Sequence, residues 1–67
     1  METLGQKLKD LREEAGLTQV ELAKLLFIDK STIAKYETDK VVPSFAMVIK
    51  IAKFFKVRTD YFAGLED

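Results

Sequence analysis

The chain has 67 residues and no cysteine, with 48% hydrophobic residues and eleven basic residues matched by eleven acidic ones. That length suits a single small domain over residues 1–67; disulfides and thiolate metal sites are excluded, and the apolar content is too high for a disordered tail. A net charge of zero and a pI near 6.2 exclude a broadly basic surface, yet leave room for one positive face.

The first helix is marked by Leu4, Leu8, Leu11 and Ala15, which recur at helical spacing and predict a helix over about residues 3–15. Gly16 is suited to the left-handed conformation that stops it. Thr18 is an N-cap, and Glu21 completes a T-x-x-E capping box for helix 2, about Gln19–Leu26. Leu17 and Leu22 have the spacing of a hydrophobic staple. Phe27, Ile28 and Asp29 alone separate this helix from the next, about Lys30–Glu37. Asp29 reads as its cap, placed to pair locally with Lys30, and Ile28 and Ile33 repeat the staple. A turn so short forces the two helices to cross steeply, and Ala23 allows the close approach.

Pro43 disfavours helical geometry at Val42. Ser44 then caps a fourth helix, about Phe45–Phe55, which buries Val48, Ile51, Ala52 and Phe55. Val57 reads as a core plug. Arg58 or Thr59 opens a last short helix, Asp60–Ala63, and Gly64 ends it. Lys50, Lys53 and Lys56 read as a solvated basic stripe. Phe54, Phe55, Tyr61 and Phe62 read mostly as core.

Little here suits catalysis. The chain has no His, no Cys and no Gly-rich phosphate loop, and Asp10, Glu13 and Glu14 read as a solvated helix face. No catalytic residue, metal, cofactor or small-molecule ligand is expected, and the chain is not expected to be an enzyme. No apolar run approaches the roughly 20 residues that span a bilayer. The opening Met-Glu-Thr-Leu-Gly lacks the regions of a signal peptide. A cytoplasmic location without membrane contact is the expectation.

The segments Leu4–Arg12, T-Q-x-E-L-A at Thr18–Ala23, S-T-I at Ser31–Ile33, Glu37, Pro43–Ser44, I-x-K-I-A-K at Ile49–Lys53 and V-x-T-D-Y-F-A-G at Val57–Gly64 come in one order and spacing. In these the chain resembles the phage repressor and Cro type, or xenobiotic-response-element type, of helix-turn-helix domain. The resemblance covers nearly the whole chain. It implies an all-α, compact five-helix bundle of the lambda-repressor-like DNA-binding type. It also implies a transcriptional regulator, a repressor by expectation, that binds double-stranded DNA as a homodimer.

The resemblance assigns roles residue by residue. Lys30, Ser31 and Lys35 match the base-reading positions, and Lys and Ser can donate to base edges in the major groove. Ala34 shares that face and suits a thymine methyl. Thr18, Gln19, Thr32, Thr38, Lys40 and Ser44 match positions near phosphates, Gln19 standing at a helix N-terminus that favours anions. Arg12 and Glu37 match a largely buried ion pair. Phe54, Tyr61 and Leu65 fall where two copies meet.

The chain also departs from the family. Phe27 and Asp39 stand where glycines are usual, and a left-handed conformation costs a non-glycine residue on the order of 1 kcal/mol. Packing the Phe27 ring on the core is the expected recovery; without it, a turn unlike the family's is expected. Asp29 replaces the usual Ser or Thr and repels phosphate. Val41 and Val42 stand where relatives add cations, so fewer phosphate contacts and a shallower salt dependence follow. These features, with net neutrality, keep a second function open: a helix-turn-helix scaffold that binds a protein partner.

Overall fold

In the computed structural model, which describes residues 2–63, every regular element is an α-helix. They are α1 (Leu4–Glu14), α2 (Gln19–Leu26), α3 (Lys30–Glu37), α4 (Phe45–Phe55) and α5 (Asp60–Ala63). Gly64 and Leu65, singled out above, lie outside the described residues.

The starts of these helices follow local side-chain chemistry. Thr3 Oγ1 accepts from Gln6 N and Ser44 Oγ from Met47 N, each at 3.1 Å. At α2 the capping box is complete: Glu21 N donates to Thr18 Oγ1 at 3.1 Å, and Thr18 N to Glu21 Oε1 at 2.8 Å. The expectation for α3 needs correction. Asp29 occupies the cap position with extended backbone, but its side chain makes no capping hydrogen bond. Nor does it pair with Lys30; the ion pairs among the described residues are Arg12–Glu13, Arg12–Glu37 and Arg58–Asp60.

The helix ends share one device. After α1, α2, α3 and α4 the chain turns left-handed at Gly16, Phe27, Asp39 and Lys56, with φ of 72°, 61°, 61° and 59°. In each case the next residue's N–H reaches back, as Leu17 N to Arg12 O, Ile28 N to Ala23 O, Lys40 N to Lys35 O and Val57 N to Ala52 O. These are Schellman motifs, which satisfy carbonyls that would otherwise lack donors. Three are built without glycine, so something else offsets the strain. Asp39 is supported: its carboxylate accepts from Thr3 Oγ1 at 2.6 Å and from Gly5 N at 3.1 Å. Phe27 is not packed as expected. Its turn keeps the left-handed geometry, yet the side chain is 87% exposed. Lys50 Nζ sits 5.3 Å from the ring centroid and donates to Leu26 O at 2.6 Å. Lys50, still exposed on the solvated stripe, thereby also closes the C-terminus of α2, where a cation is favoured.

The core takes residues from every helix: Leu8, Leu22, Ala23, Leu26, Ile33, Tyr36, Ile51, Ala52 and Phe62. Fully burying one Leu, Ile or Phe stabilises the fold by about 1.5–3 kcal/mol. Leu17, Ile28, Val48, Phe55 and Val57 are partly buried against this cluster. Among the described residues α1 packs on α3 and α5, and α2 on α3. Gly5 makes the α1–α3 approach possible, since a β-carbon there would collide with Tyr36 O and stand 2.9 Å from Glu37 O. No helix among the described residues is long and apolar enough to cross a membrane.

Candidate nucleic-acid interface

Helix α3 is anchored at its tail and open at its head. Ile33 and Tyr36 bury its inner face against the core. Glu37, at its last turn, is 8% exposed and faces Arg12 of α1, which is 9% exposed. Arg12 Nε donates to Glu37 Oε2 at 2.6 Å and Nη2 to Oε1 at 3.1 Å, a two-pronged pair that fixes direction as well as distance. The hydrogen bond to Glu37 holds the Arg12 guanidinium protonated more firmly than usual, against the opposing effect of burial. Arg12 Nη1 also donates to Leu17 O at 2.7 Å. Among the described residues no buried polar side-chain atom lacks a partner.

The outer face of α3 carries the residues singled out for base contact. Lys30, Ser31 and Lys35 are exposed and Ala34 is half-buried. Lys30 and Ala34, and Ser31 and Lys35, are four apart, so they form two adjacent columns on one side of the helix. Neither lysine joins an ion pair among the described residues. The nearest carboxylates in sequence are Asp29, exposed beside Lys30, and Glu37, buried and matched by Arg12. This face can donate hydrogen bonds from two amines and a hydroxyl and place a methyl beside them.

The positions assigned to phosphate differ in what they have to offer. Thr18 and Ser44 accept from backbone N–H through their oxygens, which leaves each hydroxyl proton for an outside acceptor. Lys40 is exposed and unpaired among the described residues, and Thr32 is half-buried. Thr38 Oγ1 donates to Ala34 O at 2.8 Å, so in this rotamer its proton is not offered outward. Gln19 is half-buried and its Nε2 donates to Glu37 Oε1 at 3.0 Å, a link that nothing in the sequence pattern announced.

The positions assigned to a contact between copies are less complete. Phe54 is 38% and Tyr61 37% exposed, while Leu65 lies outside the described residues. Phe54 stacks edge-on against Phe55, and Tyr61 against Phe62. Lys7 holds Tyr61 from α1, with Nζ donating to Tyr61 O at 2.8 Å and lying 4.7 Å from the ring centroid. Among the described residues no group of His, Cys, Asp and Glu could hold a metal ion.

Comparison with known proteins agrees with this geometry. A helix-turn-helix family model matches residues 8–62. The chain belongs to the helix-turn-helix family, in its phage repressor and Cro-type branch. Within the helix-turn-helix family it is 43% identical over 64 residues to an uncharacterized HTH-type transcriptional regulator of Methanocaldococcus jannaschii, covering 96% of this chain and 97% of that protein. It is 35% identical over 65 residues to the HTH-type transcriptional regulator ImmR of Bacillus subtilis, and 33% identical over 64 residues to the immunity repressor protein of Bacillus phage phi105. Those matches cover 97% and 96% of this chain. The chain spans about half the length of these two relatives, 51% of ImmR and 44% of the phage repressor.

Proposed function

We propose that this chain is a sequence-specific DNA-binding transcriptional regulator that sets α3 in the major groove. The observation that carries the reading is the outer face of α3, where Lys30, Ser31 and Lys35 stand exposed on a helix whose tail is locked to α1. Helix-turn-helix proteins use the first residues of the second helix to contact base edges. Lysine amines suit guanine O6 and N7. Thr18, Ser44 and Lys40 then hold the sugar–phosphate backbone, and Gln19 joins them at the start of α2. The protein acts as a repressor and as a homodimer on a palindromic operator, through Phe54, Tyr61 and Leu65, with half-sites about 34 Å apart. The described part of one copy measures 31 × 24 × 22 Å, a size that lets two copies sit side by side at that spacing.

Selection of preferred sites from random DNA tests this reading. The expected result is an enriched two-fold-symmetric site bound at physiological salt, with affinity lost in a Lys30→Ala, Lys35→Ala double variant. Recovery of no enriched sequence, or equal binding by the double variant, would overturn it.

One observation favours a second reading. Phe27, Val42 and Phe45 are 87%, 78% and 73% exposed, which suits a scaffold that binds another protein. The double lysine variant separates the two, because partner binding survives it and DNA binding does not.

A further inference from the structure

The buried ion pair and the start of α2 meet at one atom. Glu37 Oε1 accepts from Arg12 Nη2 at 3.1 Å and from Gln19 Nε2 at 3.0 Å, while Oε2 takes Arg12 Nε at 2.6 Å. Arg12 Nη1 reaches Leu17 O at 2.7 Å, just ahead of the Thr18 cap. One carboxylate and one guanidinium thus fasten the tail of α3, the loop entering α2 and the first side chain of α2.

The chemistry of the amide makes this more than a structural tie. A glutamine amide carries two N–H donors on one nitrogen and an acceptor oxygen on the other side. A carboxylate only accepts, so Glu37 admits the NH₂ end of Gln19 and turns the oxygen away. With one N–H directed at Glu37, the planar nitrogen fixes where the second N–H points. A phosphate oxygen also only accepts, and an amide free to flip would meet it with either end. Thr18 Oγ1 and Thr18 O already take the N–H groups of Glu21 and Leu22, so the unpaired backbone N–H groups of this turn are those of Gln19 and Val20. They stand at the same helix end, where an anion is favoured. Arg12 neutralises Glu37, which keeps the carboxylate from repelling the phosphate it helps to place.

We propose that Glu37 is a positioning residue for DNA: it orients the Gln19 amide so that one N–H bonds Glu37 and the other a backbone phosphate. The proposal rests on the DNA-binding reading above. Because a phosphate contact is independent of sequence, the probe is a short fluorescein-labelled duplex of mixed sequence, read by anisotropy where circular dichroism shows every variant fully folded.

Gln19→Ala is expected to weaken binding about tenfold or more with little change in melting temperature, the size of one hydrogen bond to a charged group. Replacing the pair together, as Arg12→Met with Glu37→Met, exchanges buried charges for apolar groups, a change that folds tolerate. It removes the acceptor that orients Gln19 and should weaken binding by a similar factor. Adding Gln19→Ala to that background should then cost nothing further. If the methionine pair does not fold, Arg12→Leu with Glu37→Leu takes its place under the same criterion. A loss that persists undiminished in the Gln19→Ala background, or a Gln19→Ala variant that binds as the parent does, overturns the proposal. Lys40→Ala, which removes a phosphate contact, is the separate control. If the parent does not bind the duplex, or Lys40→Ala binds it equally well, the DNA-binding reading itself fails.

Discussion

Replacing Arg12 by alanine should strongly destabilise this domain. The change removes three hydrogen bonds, two to Glu37 and one to Leu17 O, together with the cation that matches a carboxylate 8% exposed. Glu37 would keep only its bond from Gln19. Stranding one partner of a buried pair costs about 3–5 kcal/mol. At roughly 0.05–0.15 kcal/mol per residue, a domain of this length has about 3–10 kcal/mol in total. The variant should lose a third or more of that. At about 4–8 °C per kcal/mol for a domain this small, the melting temperature should fall by at least about 12 °C. Thermal and urea melts followed by circular dichroism would measure it. Exchanging both partners for methionine should restore most of the loss, because neither charge is then left buried alone. A melting temperature for Arg12→Ala within about 5 °C of the parent, roughly 1 kcal/mol or less, would refute the reasoning.

Four further substitutions, at three positions, probe the joints between helices. Gly5→Ala presses a β-carbon onto Tyr36 O and Glu37 O and should destabilise by about 1–3 kcal/mol in urea melts, since backbone cannot swing aside. Asp39→Ala loses the bonds to Thr3 and Gly5 and leaves an alanine left-handed, a combined loss of about 2–3 kcal/mol; Asp39→Asn should lose less. Phe27→Gly relieves strain of about 1 kcal/mol and gives up a contact with Lys50 of about 0.5–1 kcal/mol, so its melting temperature should stay close to the parent's.

The helices were legible because their limits are written locally. Thr18 and Glu21, Ser44, and Gly16 mark starts and stops within a few residues of where they act. The core followed from helical spacing, which placed Leu8, Ile51 and Ala52 inward. The exposed face of α3 was legible for the same reason. What escaped is long-range and polar. Gly5 and Asp39 are 34 residues apart and meet only when α1 lies on the tail of α3. Lys50 and Leu26, and Gln19 and Glu37, are joined by the same kind of contact, which leaves no period in the sequence. Asp29 misled because its type suits a cap while its side chain makes no capping bond. Phe27 misled because an aromatic ring usually implies burial, and here the backbone turn is kept without it.

The unequal fastening of α3 has a consequence for how such a domain diversifies. Its last turn is clamped by Gly5, Arg12 and Asp39, directly or through neighbouring backbone, whereas Lys30, Ser31 and Lys35 owe nothing to the interior. On the DNA-binding reading proposed above, new side chains at those outward sites would alter what is recognised while the scaffold stays as it was, so one frame can carry many target preferences without refolding.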